Sequence, residues 1–423
     1  MDSIIVRSSK GQKLDKERIY SILKKSIADR GELKRVLIIP PDNTRGYSLA
    51  NDMTNMYYKM LNTTCHVDIL PALGTHMAMT DEEISEFFGD DIPKDRYIKH
   101  NWRETAVKLG EVPASYINEI SNGKMNEPIE VEVHGSIVNG GYDLIISIGQ
   151  VVPHELTGIS NYSKNIFVGC GGYHMISKTH ILGPLCDVEY MVGEINNPVR
   201  KIFDYAHENF LADIPLIFVM AVNTFSHDML EMQGLYIGDK REVFEAAAED
   251  CMKHNVVCVD KPVKKVVAFL KENEFKSTWL GDKAVQRTRT IIEDGGEIVV
   301  LAPGVRQFGD DYETDLIMRK YGYVSKDEIR AIMNDENNND LRNNLAAAAQ
   351  LMITTSNGRF TITYATRHLT REEVEGVKFS YLNYDEAVKK YNPDILKEGF
   401  NILEDGEEIY FIHDPELGFW SVK

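Results

Sequence analysis

The chain has no C-x-x-C pair, and its five cysteines (Cys65, Cys170, Cys186, Cys251, Cys258) are an odd number. A disulfide framework and a zinc knuckle are therefore not expected, and the setting reads as reducing and cytoplasmic. Long apolar runs are missing too. The longest, Ile214–Val222, falls far short of the ~20 residues needed to cross a bilayer. Met1-Asp2-Ser3 opens straight onto the strand-like Ile4-Ile5-Val6, without the basic segment and apolar core of an export signal. No membrane partner is expected. Positive charge is in deficit, 47 basic against 65 acidic side chains for a net charge of −18. Such a field repels phosphate backbones, so no nucleic-acid partner is expected, although a local cationic pocket can still hold a small anion. No internal repeat is visible. No G-x-G-x-x-G joins a strand to a helix, which speaks against a nicotinamide dehydrogenase. H-x-x-x-H is also absent, and with it the ligand spacing of a zinc hydrolase.

What is present is an ordinary globular balance over 423 residues, 43% hydrophobic and 26% charged, enough for two or three domains. Short β-rich runs alternate with helical patterns. Candidate strands are 36–39, 66–70, 129–133, 144–148, 166–169, 216–222, 256–259, 298–301, 360–364 and 409–412. Candidate helices are 49–61, 81–88, 241–254, 283–293 and 340–354. This alternation predicts an α/β fold, two domains with mostly parallel sheets and crossover helices, and an active site in the cleft between them. The lysine-rich stretch 261–276 carries an apolar stripe at helical spacing (Val263, Val266, Val267, Leu270) and reads as the seam. The domains are placed at 1–268 and 269–423. The asparagine-rich stretch 334–340 reads as a solvated loop, and the run 406–420 as a returning strand.

In open α/β sheets ligands sit beyond the carboxyl ends of strands. Four polar clusters follow apolar runs in this way. The first contains Asp42, Thr44 and Arg45, able to hydrogen-bond and to clamp an anion. The second contains Gly74, Thr75, His76 and Met77 and leads into a capping box at Thr80–Glu83. The third is Gly149-Gln150 with Pro153-His154-Glu155, and the fourth spans 303–309. Most histidines (His66, His134, His207, His227, His254, His368, His413) have no chemical company in the sequence and read as packing or surface residues. The informative stretch runs from Pro153 to His180. It combines His154, Lys164 and His180 with Gly158, Ser160, Ser163 and the turn-permitting Gly169-Cys170-Gly171-Gly172. From the residues alone these offer a proton-transfer imidazole, a nucleophilic or tethering amine and a metal ligand, or else an irregular loop with a surface lysine.

These residues resemble the nickel-pincer-nucleotide-dependent lactate racemase family. The resemblance rests on Asp42-x-Thr44-Arg45, Gly74-Thr75-His76, His100-Asn101-Trp102, and above all on the joint spacing of His154, Lys164 and His180. It implies that Lys164 carries, through a thioamide, a pyridinium mononucleotide with two sulfur donors. Ni(II) would be held by those sulfurs, a ring carbon and His180, a donor set that suits this ion. It implies cofactor contacts at Asp42, Thr44, Arg45, Gly74, Thr75 and His76, and separate cofactor-biosynthesis enzymes as partners. His100 and His154 match the two acid/base histidines, and imidazoles titrating near neutrality suit that work. The implied reaction inverts C2 of a small-molecule 2-hydroxy acid by hydride removal and return to the opposite face. Trp279 and Lys283 match substrate contacts from the C-terminal domain. Two positions depart from the pattern. Met77 stands where an arginine is expected, and Leu280 where a polar residue is expected. Methionine cannot pair with a carboxylate, so a substrate other than lactate, such as a sugar acid, is expected. Lactate itself, or a non-catalytic member that binds a nucleotide or carries the cofactor, are the alternatives.

Overall fold

The computed structural model describes residues 3–9, 12–226, 229–415 and 418–423. His227 lies outside the described residues. The chain divides into two compact units, 1–186 with 190–255, and 187–189 with 256–423.

The first unit is built on a six-stranded sheet in the order Ile4–Arg7, Met229–Gly238, Leu216–Ser226, Leu144–Gln150, Arg35–Ile39, His66–Ile69. The last four strands run parallel and the first two pair antiparallel. The central strands are continuous apolar runs because both faces are covered. Successive side chains point to opposite faces. Val36, Ile38, Leu144, Ile146 and Ile148 thus join one core with residues of the helices Lys16–Ala28 and Ala50–Leu61. Leu37, Ile39 and Ile145 join the other, packed with the helices Tyr173–Leu185, Pro198–Phe210 and Arg241–Asn255. Three neighbouring parallel strands, ending at Ile39, Ile69 and Gln150, carry the first three polar clusters at one edge of this sheet.

The second unit has its own six-stranded sheet, ordered Ser380–Asn383, Thr361–Thr366, Ile292–Leu301, Val263–Phe269, Glu408–Ile412, Gly399–Ile402, all parallel except the last pair. Val256–Val259 pairs parallel with Phe419–Val422. The mostly parallel α/β expectation holds in each unit.

Several local expectations are corrected. Residues 166–169, expected as a strand, form a π-helical turn, Asn165–Gly169. Ile166, Phe167 and Val168 are buried there, and a short apolar run buried all round carries no period to tell strand from helix. The valines of 261–276 belong to the strand Val263–Phe269, bonded on both sides. Burial of both strand faces produces the same valine-rich run as a helical stripe, and position 268/269 lies inside this strand. The helix expected over 283–293 stops at Thr288, where the chain turns into the long strand Ile292–Leu301. The helix expected over 340–354 breaks at Asn344, whose side chain caps the second piece by accepting from Ala347 N–H. Residues 334–340 are largely exposed but close the helix Lys326–Asn334 and open Asn339–Asn343.

Within the second unit, Asp282 is fully buried. It accepts hydrogen bonds from Tyr323 (2.6 Å), Tyr364 (2.7 Å), Gln350 (3.1 Å) and Thr354 (3.3 Å). Burial pushes its pKa up to about 6, opposed by those four donors. Asp282→Ala leaves buried donors without an acceptor and is expected to cost roughly 3–5 kcal/mol. Urea unfolding measures this, and a loss below about 1 kcal/mol would contradict the network's structural weight.

Candidate functional site

The first two loops are joined by a hydrogen bond between Asp42 and His76. Asp42, buried at the end of its strand, accepts from Thr44 Oγ1 at 2.6 Å and hydrogen-bonds His76 Nδ1 at 2.5 Å. Burial alone would raise its pKa, but His76, Thr44 and Arg45 together hold it below the ordinary carboxylate range. Thr44, Arg45, Thr75, His76 and Met77 remain exposed, Met77 by 91%. Gly74 has φ +60° and its N–H donates to Gly169 O at 2.8 Å, joining this loop to the turn that follows Lys164.

Lys164 immediately precedes the π-helical turn. Asn165 Nδ2 anchors that turn to the sheet through Ser147 Oγ at 2.9 Å. The Lys164 amine is pushed down to about 7, by burial first and then by Arg45, with Glu155 pulling the other way. It is thus available as a neutral amine near neutral pH.

His180 lies on the helix Tyr173–Leu185. Glu132 Oε2 receives the N–H groups of His174 (2.8 Å) and Met175 (3.3 Å) at the helix start. Gly172 makes that approach possible, because a Cβ there would meet the same oxygen at 2.6 Å. His180 Nδ1 hydrogen-bonds Ile176 O at 2.7 Å. A carbonyl can only accept, so Nδ1 carries the proton and Nε2 keeps its lone pair, the tautomer a metal ligand requires. Burial, then the charge of Lys164, lowers its pKa to about 4, with Glu155 acting in the opposite sense.

His100 is buried with its ring 5.6 Å from His134, and its Nδ1 lies 3.3 Å from Thr105 Oγ1. Its Nε2 is buried without a hydrogen-bond partner. Burial first, then His134, lowers its pKa to about 4, while the Gly171 backbone acts weakly the other way. Among the described residues His100 shares no hydrogen bond with Lys164 or His180. His154 sits in a two-residue strand pairing with Gly158, and its Nδ1 accepts the Leu156 N–H at 3.1 Å, leaving the neutral ring's proton on Nε2. Gly158 makes the return possible, with φ +74° and a Cβ position 1.9 Å from Glu194 O.

In the second unit, Trp279 N–H donates to Phe308 O at 2.8 Å, and Lys283 opens the helix Lys283–Thr288 directly after Asp282. Both side chains are partly buried.

The folded pKa values of His100 and His180, about 4, lie below the ordinary 6.5. Between these values the unfolded chain binds more protons. The histidines' favourable contribution is therefore present above pH 6.5 and is lost as the pH falls towards 4. The urea midpoint is expected to drop steeply over that window, and less so in the double variant His100→Gln/His180→Gln. Equal slopes in the two proteins would contradict the burial of the imidazoles.

Sequence reading passed over three residues near the site. Glu155 acts electrostatically on both Lys164 and His180, and its place beside His154 was the available signal. His134, read as packing, faces His100. Arg200, fully buried, hydrogen-bonds the loop before Lys164, and nothing in its local sequence marks it.

The first unit is thus an α/β unit with three polar loops at one sheet edge, where open α/β sheets place their ligands, and it carries a lysine of lowered pKa and a histidine held in one tautomer. Residues 11–189 match the lactate racemase N-terminal domain. The chain is 26% identical over 179 residues to a lactate racemase of Thermoanaerobacterium thermosaccharolyticum, covering 41% of this chain and 38% of that relative's length. The crystal structure of a Thermotoga maritima protein superposes with TM-score 0.79 at 23% identity, covering 98% of this chain and all of that one. The lactate racemase apoprotein of T. thermosaccharolyticum superposes with TM-score 0.70 at 19% identity, covering 97% and 93%. These two likenesses establish the fold.

Proposed function

We propose that the chain is a racemase or epimerase that inverts the C2 centre of a 2-hydroxy acid with a nickel-pincer nucleotide tethered to Lys164. The observation that carries this reading is the pairing of a Lys164 amine whose pKa is lowered to about 7 with a His180 whose Nε2 lone pair is held free, the lysine close enough to lower the histidine's own pKa.

The residues fit the group. An amine that forms a thioamide must first be deprotonated, and Lys164 is poised for that. Among the described residues, the one cluster of three metal-ligating side chains is Glu130, Glu132 and His174. Its carboxylates already serve Lys108 and the start of the helix that carries His180. His180 belongs to no such cluster, so a metal on it would take its remaining donors from an organic ligand, as the sulfur-bearing nucleotide provides. Arg45 and Thr44 would hold its phosphate or ribose, with Asp42 and His76 fixing the loops around them. When bound, the group supplies a reversible acceptor for the α-hydrogen as hydride. The protein's part is proton work and orientation. His100, neutral and with its buried Nε2 unpartnered, would take the hydroxyl proton. His154, with its proton on Nε2, would serve from the other side. Lys283 and Trp279 would orient the substrate, and Met77 would remove the cation that a small carboxylate such as lactate needs, favouring a larger hydroxy acid.

The test is intact mass and nickel content of the protein co-produced with the cofactor-making enzymes, beside a Lys164→Ala control. The expected result is one adduct and about one nickel per chain in the wild type, with neither in the control, followed by turnover of one member of a chiral 2-hydroxy acid panel. A wild type left unmodified, under loading that modifies a lactate racemase, would sink the reading.

A further inference from the structure

Lys164 ends a stretch of unusual backbone. The two non-glycine residues Asn161 (φ 66°) and Tyr162 (φ 55°) are consecutive and both left-handed. Such conformations are strained for residues with a Cβ and persist only where the surroundings over-determine them. The local chain contributes little: Asn161 Oδ1 accepts the Tyr162 N–H, while Asn161 Nδ2 is buried without a partner. The Tyr162 ring packs against Phe218 and Phe244, Ser160 Oγ accepts from Val152 N–H and donates to Gln150 O, and further support comes from the helix Pro198–Phe210, whose Arg200 side chain is fully buried. Its Nη1 donates to Asn161 O (3.2 Å) and Ser163 Oγ (3.3 Å), and its Nη2 donates to Ile159 O. One guanidinium fork thus binds three acceptors in five consecutive residues, ending one residue before Lys164.

Arg200 has no compensating ion pair among the described residues. Asp204, which acts on it electrostatically, is hydrogen-bonded to Arg241 instead. The cation lies over Phe244 at 4.7 Å from the ring centre, and its Nε has no hydrogen-bond partner. Burial lowers its pKa only to about 10, so it stays charged at neutral pH. A buried guanidinium without an ion pair depends on its hydrogen bonds, and those that the Arg200 side chain makes all go to residues 159–163. The geometry is therefore better explained by the loop that Arg200 shapes than by the core that it fills.

We propose that Arg200 is the positioning residue that sets the 159–163 loop so that Lys164 is presented for covalent attachment of the nucleotide. This rests on the tether reading of Lys164. Lysine at position 200 keeps the charge but not the planar fork, so it recovers only part of the function.

The experiment compares wild type, Arg200→Met and Arg200→Lys, co-produced with the cofactor-making enzymes, by adduct occupancy in intact mass. Amide hydrogen exchange over residues 158–166 is measured in the unloaded proteins. The expected result is native far-UV circular dichroism in both variants and an adduct occupancy at least tenfold lower in Arg200→Met. Occupancy should be intermediate in Arg200→Lys, and exchange should be faster in 158–166 while the helix Ala50–Leu61 is unchanged. Folded variants that load and exchange like wild type would overturn the proposal. Should Arg200→Met not fold, Arg200→Lys decides alone, and wild-type loading in it overturns the proposal. An unmodified wild type overturns the tether reading and the attachment role with it. The exchange data still decide separately whether Arg200 holds the loop.

Discussion

Lys164→Met is expected to make the unloaded chain more stable at pH 7 while abolishing covalent modification. The amine's pKa falls to about 7 on folding, from an ordinary 10.5, with burial the first cause and the charge of Arg45 the second. Between those values the unfolded chain binds more protons than the folded one, so the lysine's cost to stability is largest at the acid end of the window and fades towards pH 10.5. At pH 7 this amounts to roughly 2–4 kcal/mol. Methionine fills similar space without a charge. Urea unfolding at pH 7 and at pH 9.5 should show the variant more stable at both, with the gap narrowing at the higher pH. A methionine variant less stable than wild type, or a gap that does not narrow, would contradict the buried amine.

His100→Gln and His154→Gln are each expected to lower kcat/KM by about 10²–10⁴ while leaving adduct and nickel content at wild-type levels. Glutamine keeps a polar group of similar reach but does not exchange a proton at these pH values. The loss should appear from either enantiomer, because in the proposed reaction the return step would use the same pair of imidazoles in exchanged roles. Initial rates from each enantiomer, with loading checked by mass, measure it. A loaded His100→Gln protein that turns over at wild-type rate would remove His100 from the proton work, and an unloaded one would move it to the cofactor's surroundings.

Most of the parallel strands were legible as short β-rich apolar runs, and the helix Asp81–Phe88 because it carries its own cap. The run 36–39 reappears as Arg35–Ile39, and Thr80 with Glu83 forms the expected capping box. Val263–Phe269 misled because a strand covered on both faces shows no alternation, and 166–169 because four apolar residues define no period. At the site, sequence motifs singled out Asp42, His76, Lys164 and His180. The partners that tune them could not be read in the same way. Glu155 lies nine residues before Lys164, while Arg200 lies on another helix 36 residues after it.

Local order along the chain was enough for the alternation of strand and helix, for the polar loops at strand ends, and for the residue types able to tether a nucleotide and bind a metal. Protonation was not local. The lowered pKa of the Lys164 amine comes from burial and from Arg45. The lone pair on His180 comes from the Ile176 carbonyl one helical turn away. The two left-handed residues before Lys164 are held in part by a guanidinium brought there by the packing of a distant helix. Desolvation and hydrogen-bond geometry depend on what surrounds an atom in three dimensions, and a residue's neighbours in sequence are only a small part of that surrounding.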